Sequence, residues 1–171
     1  MLEYIASTGT PSGSFLEIDS IPNTYNSLYI SGVMSCSGTT VGDAYMRFNT
    51  VTTSTYNFVL GGERDGSTNT SYTSSTNEGM FGRLPDDDMN VGFVYAPVWI
   101  DIFAYRGDQP GNLGWYSLAS YVDTTTTSQN QFYSGWYTED STADITKIQF
   151  ITSQGAWDSD TEFHLYGRTT S

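Results

Sequence analysis

Little in this chain can do chemistry with a metal or a thiol. Among its 171 residues there is one cysteine, Cys36, and one histidine, His164. A lone thiol forms no intrachain disulfide, and one His with one Cys cannot supply the four ligands of a structural zinc site. Cations are scarce as well: six Lys and Arg stand against 19 Asp and Glu, for a net charge of −13 and a pI near 4.1. Such a chain repels phosphate backbones and anionic lipid, which argues against nucleic acid and membranes as partners. No apolar run approaches the roughly 20 residues that cross a bilayer as a helix. The first residues, Met1-Leu2-Glu3-Tyr4-Ile5, show neither the basic segment nor the long apolar stretch of a secretory signal, so signal-dependent export is not expected. Aliphatic residues are few too. Leu, Ile, Val and Phe total 34, about a fifth of the chain, the level at which disorder sets in.

The aromatics compensate. Twenty-six Phe, Trp and Tyr residues bury large areas each and can build a core that the aliphatics alone could not. Ser and Thr contribute 45 residues and charged groups only 15%, which suits sheet faces and turns better than exposed helices. Candidate segments are short, rich in Tyr, Phe, Val, Ile and Thr, and separated by Gly, Asn, Asp, Ser or Pro. Period two recurs in Leu16 and Ile18, in Leu28 and Ile30, in Met46 and Phe48 against Tyr45, Arg47 and Asn49, and in Tyr56, Phe58 and Leu60. Val94 to Tyr105 is apolar on both faces and reads as a central strand with Pro97 at its start or at a bulge; Trp99, Phe103 and Tyr105 lie opposite Val98, Ile100 and Ile102. Gly114–Tyr121, Asn130–Thr138, Ile145–Thr152 and Thr161–Gly167 are further candidates, whereas Gly61–Gly79 and Asp123–Asn130 read as long loops. Eight to ten short strands without helical crossovers predict an all-β, antiparallel, jelly-roll-like sandwich, with residues 1–171 forming a single domain.

The chain also resembles a family. Phe15-Leu16-Glu17-Ile18-Asp19-Ser20-Ile21-Pro22-Asn23-Thr24-Tyr25-Asn26-Ser27-Leu28, then Met46-Arg47-Phe48-Asn49 with Tyr56 and the Gly61-Gly62 pair, match the opening of small virion proteins of tailed bacteriophages. The end matches as well: Ile145-Thr146-Lys147-Ile148-Gln149-Phe150, a Gly155-Ala156-Trp157 corner, and Phe163-His164-Leu165-Tyr166-Gly167. The middle, from Gly62 to Tyr137, matches loosely, and Thr50-Val51-Thr52-Thr53 stands where such proteins commonly carry an aspartate soon after the asparagine. The resemblance implies a non-enzymatic, virion-located jelly-roll protein, assembled in the host cytoplasm, that binds the major capsid protein or other virion proteins. It implies capsid decoration or cement, and often a homotrimer. The alternative is a receptor- or saccharide-binding module of a tail or head fibre that recognises a host-surface glycan. Neither needs a cofactor or a metal.

Motifs that invite other functions have plainer readings. His164 alternates with Phe163 and Leu165 and points away from their face, with no nucleophile or co-ligand implied. Asp86-Asp87-Asp88 lacks calcium-loop spacing and reads as a solvated turn, as do Asp158, Asp160 and Glu162. With 19 acidic residues some carboxylate pair at glycosidase spacing is inevitable; Trp99, Trp115, Trp136 and Trp157 as walls of a sugar cleft is the sharper reading, core packing the ordinary one. Arg106-Gly107-Asp108 is first of all a turn, and Asn69-Thr70-Ser71 is a three-residue coincidence with a glycosylation acceptor.

Overall fold

The segments pair as twelve strands: β1 (Leu2–Ser7), β2 (Phe15–Ile18), β3 (Ser27–Met34), β4 (Gly42–Phe48), β5 (Tyr56–Arg64), β6 (Ser67–Thr76), β7 (Gly79–Leu84), β8 (Ala96–Phe103), β9 (Leu113–Val122), β10 (Ser128–Tyr137), β11 (Ile148–Thr152) and β12 (Glu162–Arg168). The computed structural model describes residues 1–11, 13–38, 42–64, 67–84, 96–107, 113–122, 128–137 and 143–169, and no helix occurs among them. A long sheet runs β1-β12-β3-β8-β9-β10-β5-β6 and a short one β2-β11-β4-β7. All of the pairings are antiparallel.

Setting aside the hairpins β5–β6 and β9–β10 leaves the orders β1-β12-β3-β8 and β2-β11-β4-β7. Along that reduced chain each step crosses from one sheet to the other except β4 to β7. This is jelly-roll winding, two Greek keys closed into a sandwich. Both hairpins extend the same sheet, so one layer has eight strands and the other four.

Aromatic rings fill the core, as the composition requires. Phe150 of the short sheet and Phe163 of the long sheet stack at 4.2 Å with planes 14° apart. Phe81 meets them edge-on at 5.8 and 5.9 Å, and Trp157 meets Phe163 at 5.7 Å. Such geometry is worth roughly 0.5–1.5 kcal/mol per pair beyond the area buried. The period-two sets land as expected: Leu16, Ile18, Leu28, Ile30, Met46, Phe48, Tyr56 and Phe58 are buried. Cys36 is buried in a bridge to Trp157. Two side chains of β9 tie the layers together: Trp115 Nε1 donates to the Met80 carbonyl (3.2 Å) and Ser117 Oγ to the Phe81 carbonyl (2.8 Å).

Twelve strands form where eight to ten were expected, because β1, β6 and β7 lie outside the candidate segments, and three further expectations need correction. Most of Gly61–Gly79 is not a loop but the hairpin of β5 and β6, with Leu60 opposite Ser71 and Gly61 opposite Thr70. It lacks apolar residues because β6 lies at the sheet edge, away from the core, where ladder hydrogen bonds to β5 and the β-propensity of Thr and Tyr suffice. Likewise, Ser128–Asn130 already belong to β10, while residues 123–127 lie outside the described residues. The third is Tyr105. The strand stops at Phe103, and Ala104 takes a positive φ of 54°, which turns the chain and sends the Tyr105 ring inward instead of onto the outer face. Its hydroxyl donates to the Pro22 carbonyl (2.8 Å) and accepts from the Tyr25 N–H (3.1 Å), and burial raises its pKa. Tyr105→Phe is therefore expected to strand a buried donor and an acceptor, costing about 1–3 kcal/mol with an unchanged denaturant slope in a urea titration.

Candidate functional site

The two outer faces differ sharply. On the short sheet, period two turns Glu17, Asp43, Tyr45, Arg47 and Gln149 outward, and they neutralise one another. Arg47 Nη2 meets Glu78 at 2.9 Å, Arg83 Nε meets Asp43 at 3.0 Å, and Lys147 Nζ meets Glu17 at 3.2 Å. Gln149 Nε2 donates to Glu17 at 2.8 Å, and Tyr45 donates its hydroxyl to Asp43 at 3.2 Å. Phe15, at the edge, is the large apolar side chain exposed there among the described residues. A shallow groove of about 430 Å³ beside this network is lined by Tyr45, Ser75, Thr76, Asn77 and Glu78. Burial first, and the Asp43 carboxylate second, push the Tyr45 pKa far above the ordinary tyrosine range, so it remains a neutral phenol.

The long sheet turns aromatics outward instead. Trp99 lies opposite Leu118, Leu118 opposite Phe132, and Phe132 opposite Gly61, so its ring lies across a glycine. In the next row Asp101, Tyr116, Ser134, Val59 and Tyr72 follow one another across five strands. In the third row, Phe103, Gly114 and Trp136 follow one another. Tyr72 stacks on Trp136 at 6.2 Å and Tyr116 on Phe132 at 6.5 Å, with planes 24° and 23° apart. Trp99, Phe103, Tyr116, Leu118, Phe132, Trp136 and Tyr72 are 37–60% exposed. At roughly 150–250 Å² per aromatic side chain, that leaves on the order of 600 Å² of contiguous apolar surface in water, at the upper limit for a monomer.

The row of Tyr116 continues across the jelly-roll strands. Tyr4, Tyr166 and Tyr29 follow one another at 5.8 and 6.1 Å, with the Arg168 guanidinium 5.9 Å over Tyr29 and ion-paired to Asp101 at 3.0 Å. Each strand must place alternate residues outward, and these strands place aromatics there, where a solvated sheet would place Thr, Lys or Glu. Trp99 and Phe103 were legible as outward-facing from the alternation in β8. Tyr116, Leu118 and Phe132 were not, because the inner face of β9 carries Ser117 and that of β10 carries Gln131, which blurs the pattern, and Tyr72 was not, because β6 reads as a polar loop.

The other candidates separate in space. His164 points outward as expected and lies 3.5 Å from Glu162. Asp158 accepts from Ser35 Oγ at 2.5 Å, Asp160 is exposed in a turn, and with Glu162 on His164 the three do not converge. Trp115 and Trp157 are buried whereas Trp99 and Trp136 are exposed, so the four do not wall one cleft. Thr70 and Ser71 lie in a strand. Asp86-Asp87-Asp88 and Asp108 lie outside the described residues. Among the described residues no three His, Cys, Asp or Glu side chains form a group able to hold a metal.

The asparagine of the Arg-Phe-Asn motif proves to be a clamp. Asn49, at a positive φ of 51°, accepts at Oδ1 from the N–H groups of Thr146 (2.9 Å) and Lys147 (3.2 Å) and donates Nδ2 to the Asp144 carbonyl (2.9 Å). The Asp144 carboxylate takes Gly107 N–H at 2.9 Å and Asn23 Nδ2 at 2.8 Å, bonds that lower its pKa in that order. A carboxyl whose folded pKa is depressed stabilises the fold above its unfolded value, near 3.9, and loses that contribution as pH falls through the folded value. Thermal melts from pH 6 down to pH 2 are expected to show a fall below about pH 4 that is smaller in Asp144→Asn.

No family model and no curated protein matches the chain. Two solved structures overlap with its whole length at 10% identity: the binding domain of botulinum neurotoxin DC in complex with rat synaptotagmin II (TM-score 0.32), and a structure of botulinum neurotoxin type C, for which interaction with two ganglioside molecules is described (TM-score 0.24). The chain spans 44% of the length of each. Likenesses of this size carry no argument, and neither the fold nor the function rests on them.

Proposed function

We propose that this chain is a non-enzymatic structural protein of a bacteriophage particle, a decoration or cement subunit that docks on the outside of the shell through the aromatic face of its long sheet. The observation that carries the docking surface is the contrast between the two outer faces: one ion-paired and polar, the other exposing Trp99, Phe103, Tyr116, Leu118, Phe132, Trp136 and Tyr72 to water. The virion location rests on the family resemblance, and jelly-roll winding accords with it. Attachment would be assisted by the charge of −13, which is drawn to a basic shell surface and keeps free copies soluble.

Saccharide binding draws on the same exposed rings. Four of the rings stack on one another, Tyr72 on Trp136 and Tyr116 on Phe132, which favours a broad apolar cover over a single sugar. The test is rebinding of purified protein to particles stripped of it. Saturable binding at a shell-wide copy number is expected; no rebinding, together with retention on a glycan array, would replace decoration with the fibre reading.

A further inference from the structure

Among the described residues the two sheets end in four edge strands, β1, β6, β2 and β7, and three carry features that discourage pairing with another chain. The β1 edge has Glu3 and a bulge between Tyr4 and Ala6. The β2 edge has four residues including Glu17, and the β7 edge has six including Arg83, with a register shift against β4. The β6 edge differs. It is ten residues long, Ser67-Thr68-Asn69-Thr70-Ser71-Tyr72-Thr73-Ser74-Ser75-Thr76, without a charge, a proline or a glycine. From Ser67 opposite Arg64 to Thr73 opposite Phe58 its register is unbroken, and the irregularity falls beyond, where Ser75 has a φ of 57°. Thr68, Thr70, Ser71 and Tyr72 are exposed. A long, regular, neutral edge presents a row of unpaired backbone donors and acceptors and is a template for another strand.

We infer that β6 pairs antiparallel with β6 of a second copy about a two-fold axis through Thr70, joining the two long sheets into one. The occupant is a second copy on grounds of charge. At −13, two copies repel, and they can meet closely only along a segment free of carboxylates, which this edge is. An antiparallel two-fold pairing is also self-complementary by construction. Centring on Thr70 matches the unbroken stretch with itself, Ser67 to the partner's Thr73 and Tyr72 to the partner's Thr68, an aromatic–β-branched pair of the favourable kind. The outer aromatic face, which ends at Tyr72, then continues across the join. A closed trimer built on this edge would need β6 to pair with β1, β2 or β7, each of which is charged, short or irregular, so this contact builds dimers.

An edge pairing buries little area, so association is weak and concentration-dependent. Sedimentation equilibrium of the isolated chain from micromolar to millimolar concentration is expected to show the mass doubling, with the amides of Ser67–Thr73 exchanging more slowly as it does. Thr70→Lys sets two lysines side by side on the axis and is expected to hold the mass at that of a monomer. Leu2→Lys, on β1, is expected to leave the doubling intact. A monomer at every concentration, a doubling that survives Thr70→Lys, or one abolished by Leu2→Lys would overturn the inference. Should Thr70→Lys fail to fold, amide exchange of the native chain decides alone: rates on β6 that do not change with concentration would refute the pairing. No other virion component is present, so the result is independent of shell docking.

Discussion

Gly135→Ala is expected to lower the unfolding free energy by about 3 kcal/mol or more, above the usual range for one added methyl. Gly135 lies directly opposite Trp115 in the β9–β10 ladder, and the indole lies across it. A Cβ there would come within 2.2 Å of Trp115 Cζ2, 2.5 Å of Cη2 and 2.6 Å of the Asn57 carbonyl oxygen. The ring has nowhere to retreat. On the other side a Cβ on Gly79 would meet it at 2.6 Å, and Nε1 is fixed on the Met80 carbonyl. Against a total stability of about 5–15 kcal/mol, this is a large fraction. Gly114→Ala is the control. Its Cβ would meet the Gly135 carbonyl at 3.5 Å, an ordinary contact, and the change is expected to stay within about 1 kcal/mol. Urea titrations of the two variants check the pair of outcomes, and equal midpoints would show that the Trp115 slot is not rigid.

The second large effect concerns docking. Trp99 and Leu118 face each other across β8 and β9 on the outer surface. Trp99→Lys with Leu118→Glu replaces an apolar pair by an opposite-charge pair and leaves the net charge at −13, so long-range attraction to a shell is preserved. Stability is expected to change by less than about 1 kcal/mol, since both side chains already stand partly in water. Affinity for stripped particles is expected to fall about a hundredfold or more, because a central tryptophan of an interface typically carries 2 kcal/mol or more and charge in its place must be desolvated. Binding isotherms on stripped particles, with parallel melts of the free protein, separate the two quantities.

How much of this was written locally can be argued strand by strand. Leu16 with Ile18 and Met46 with Phe48 were legible because one buried face on a two-residue period leaves a mark in any window. β6 was not, since an edge strand needs nothing from the core and its partner among the described residues is its hairpin mate β5. The jelly-roll order was not legible either: β12 lies between β1 and β3, pairings that join the end of the chain to its beginning and depend on the whole sandwich. Asn49 stood out by resemblance, but its role depends on Asp144 and Thr146, nearly a hundred residues away in sequence. Tyr105 misled because alternation was carried two residues too far, past the positive φ at Ala104 that no period reveals. The outward aromatics are the informative departure: a pattern that is apolar on both faces marks a surface meant to be covered.

The most direct measurement is a map of the particle at a resolution that orients the sheets. Copies spread over the shell are expected, with Trp99, Tyr116, Leu118 and Phe132 turned toward it and the ion-paired face of Arg47, Arg83 and Lys147 toward solvent. Those four side chains facing solvent, or copies confined to a tail or a single vertex, would contradict that arrangement.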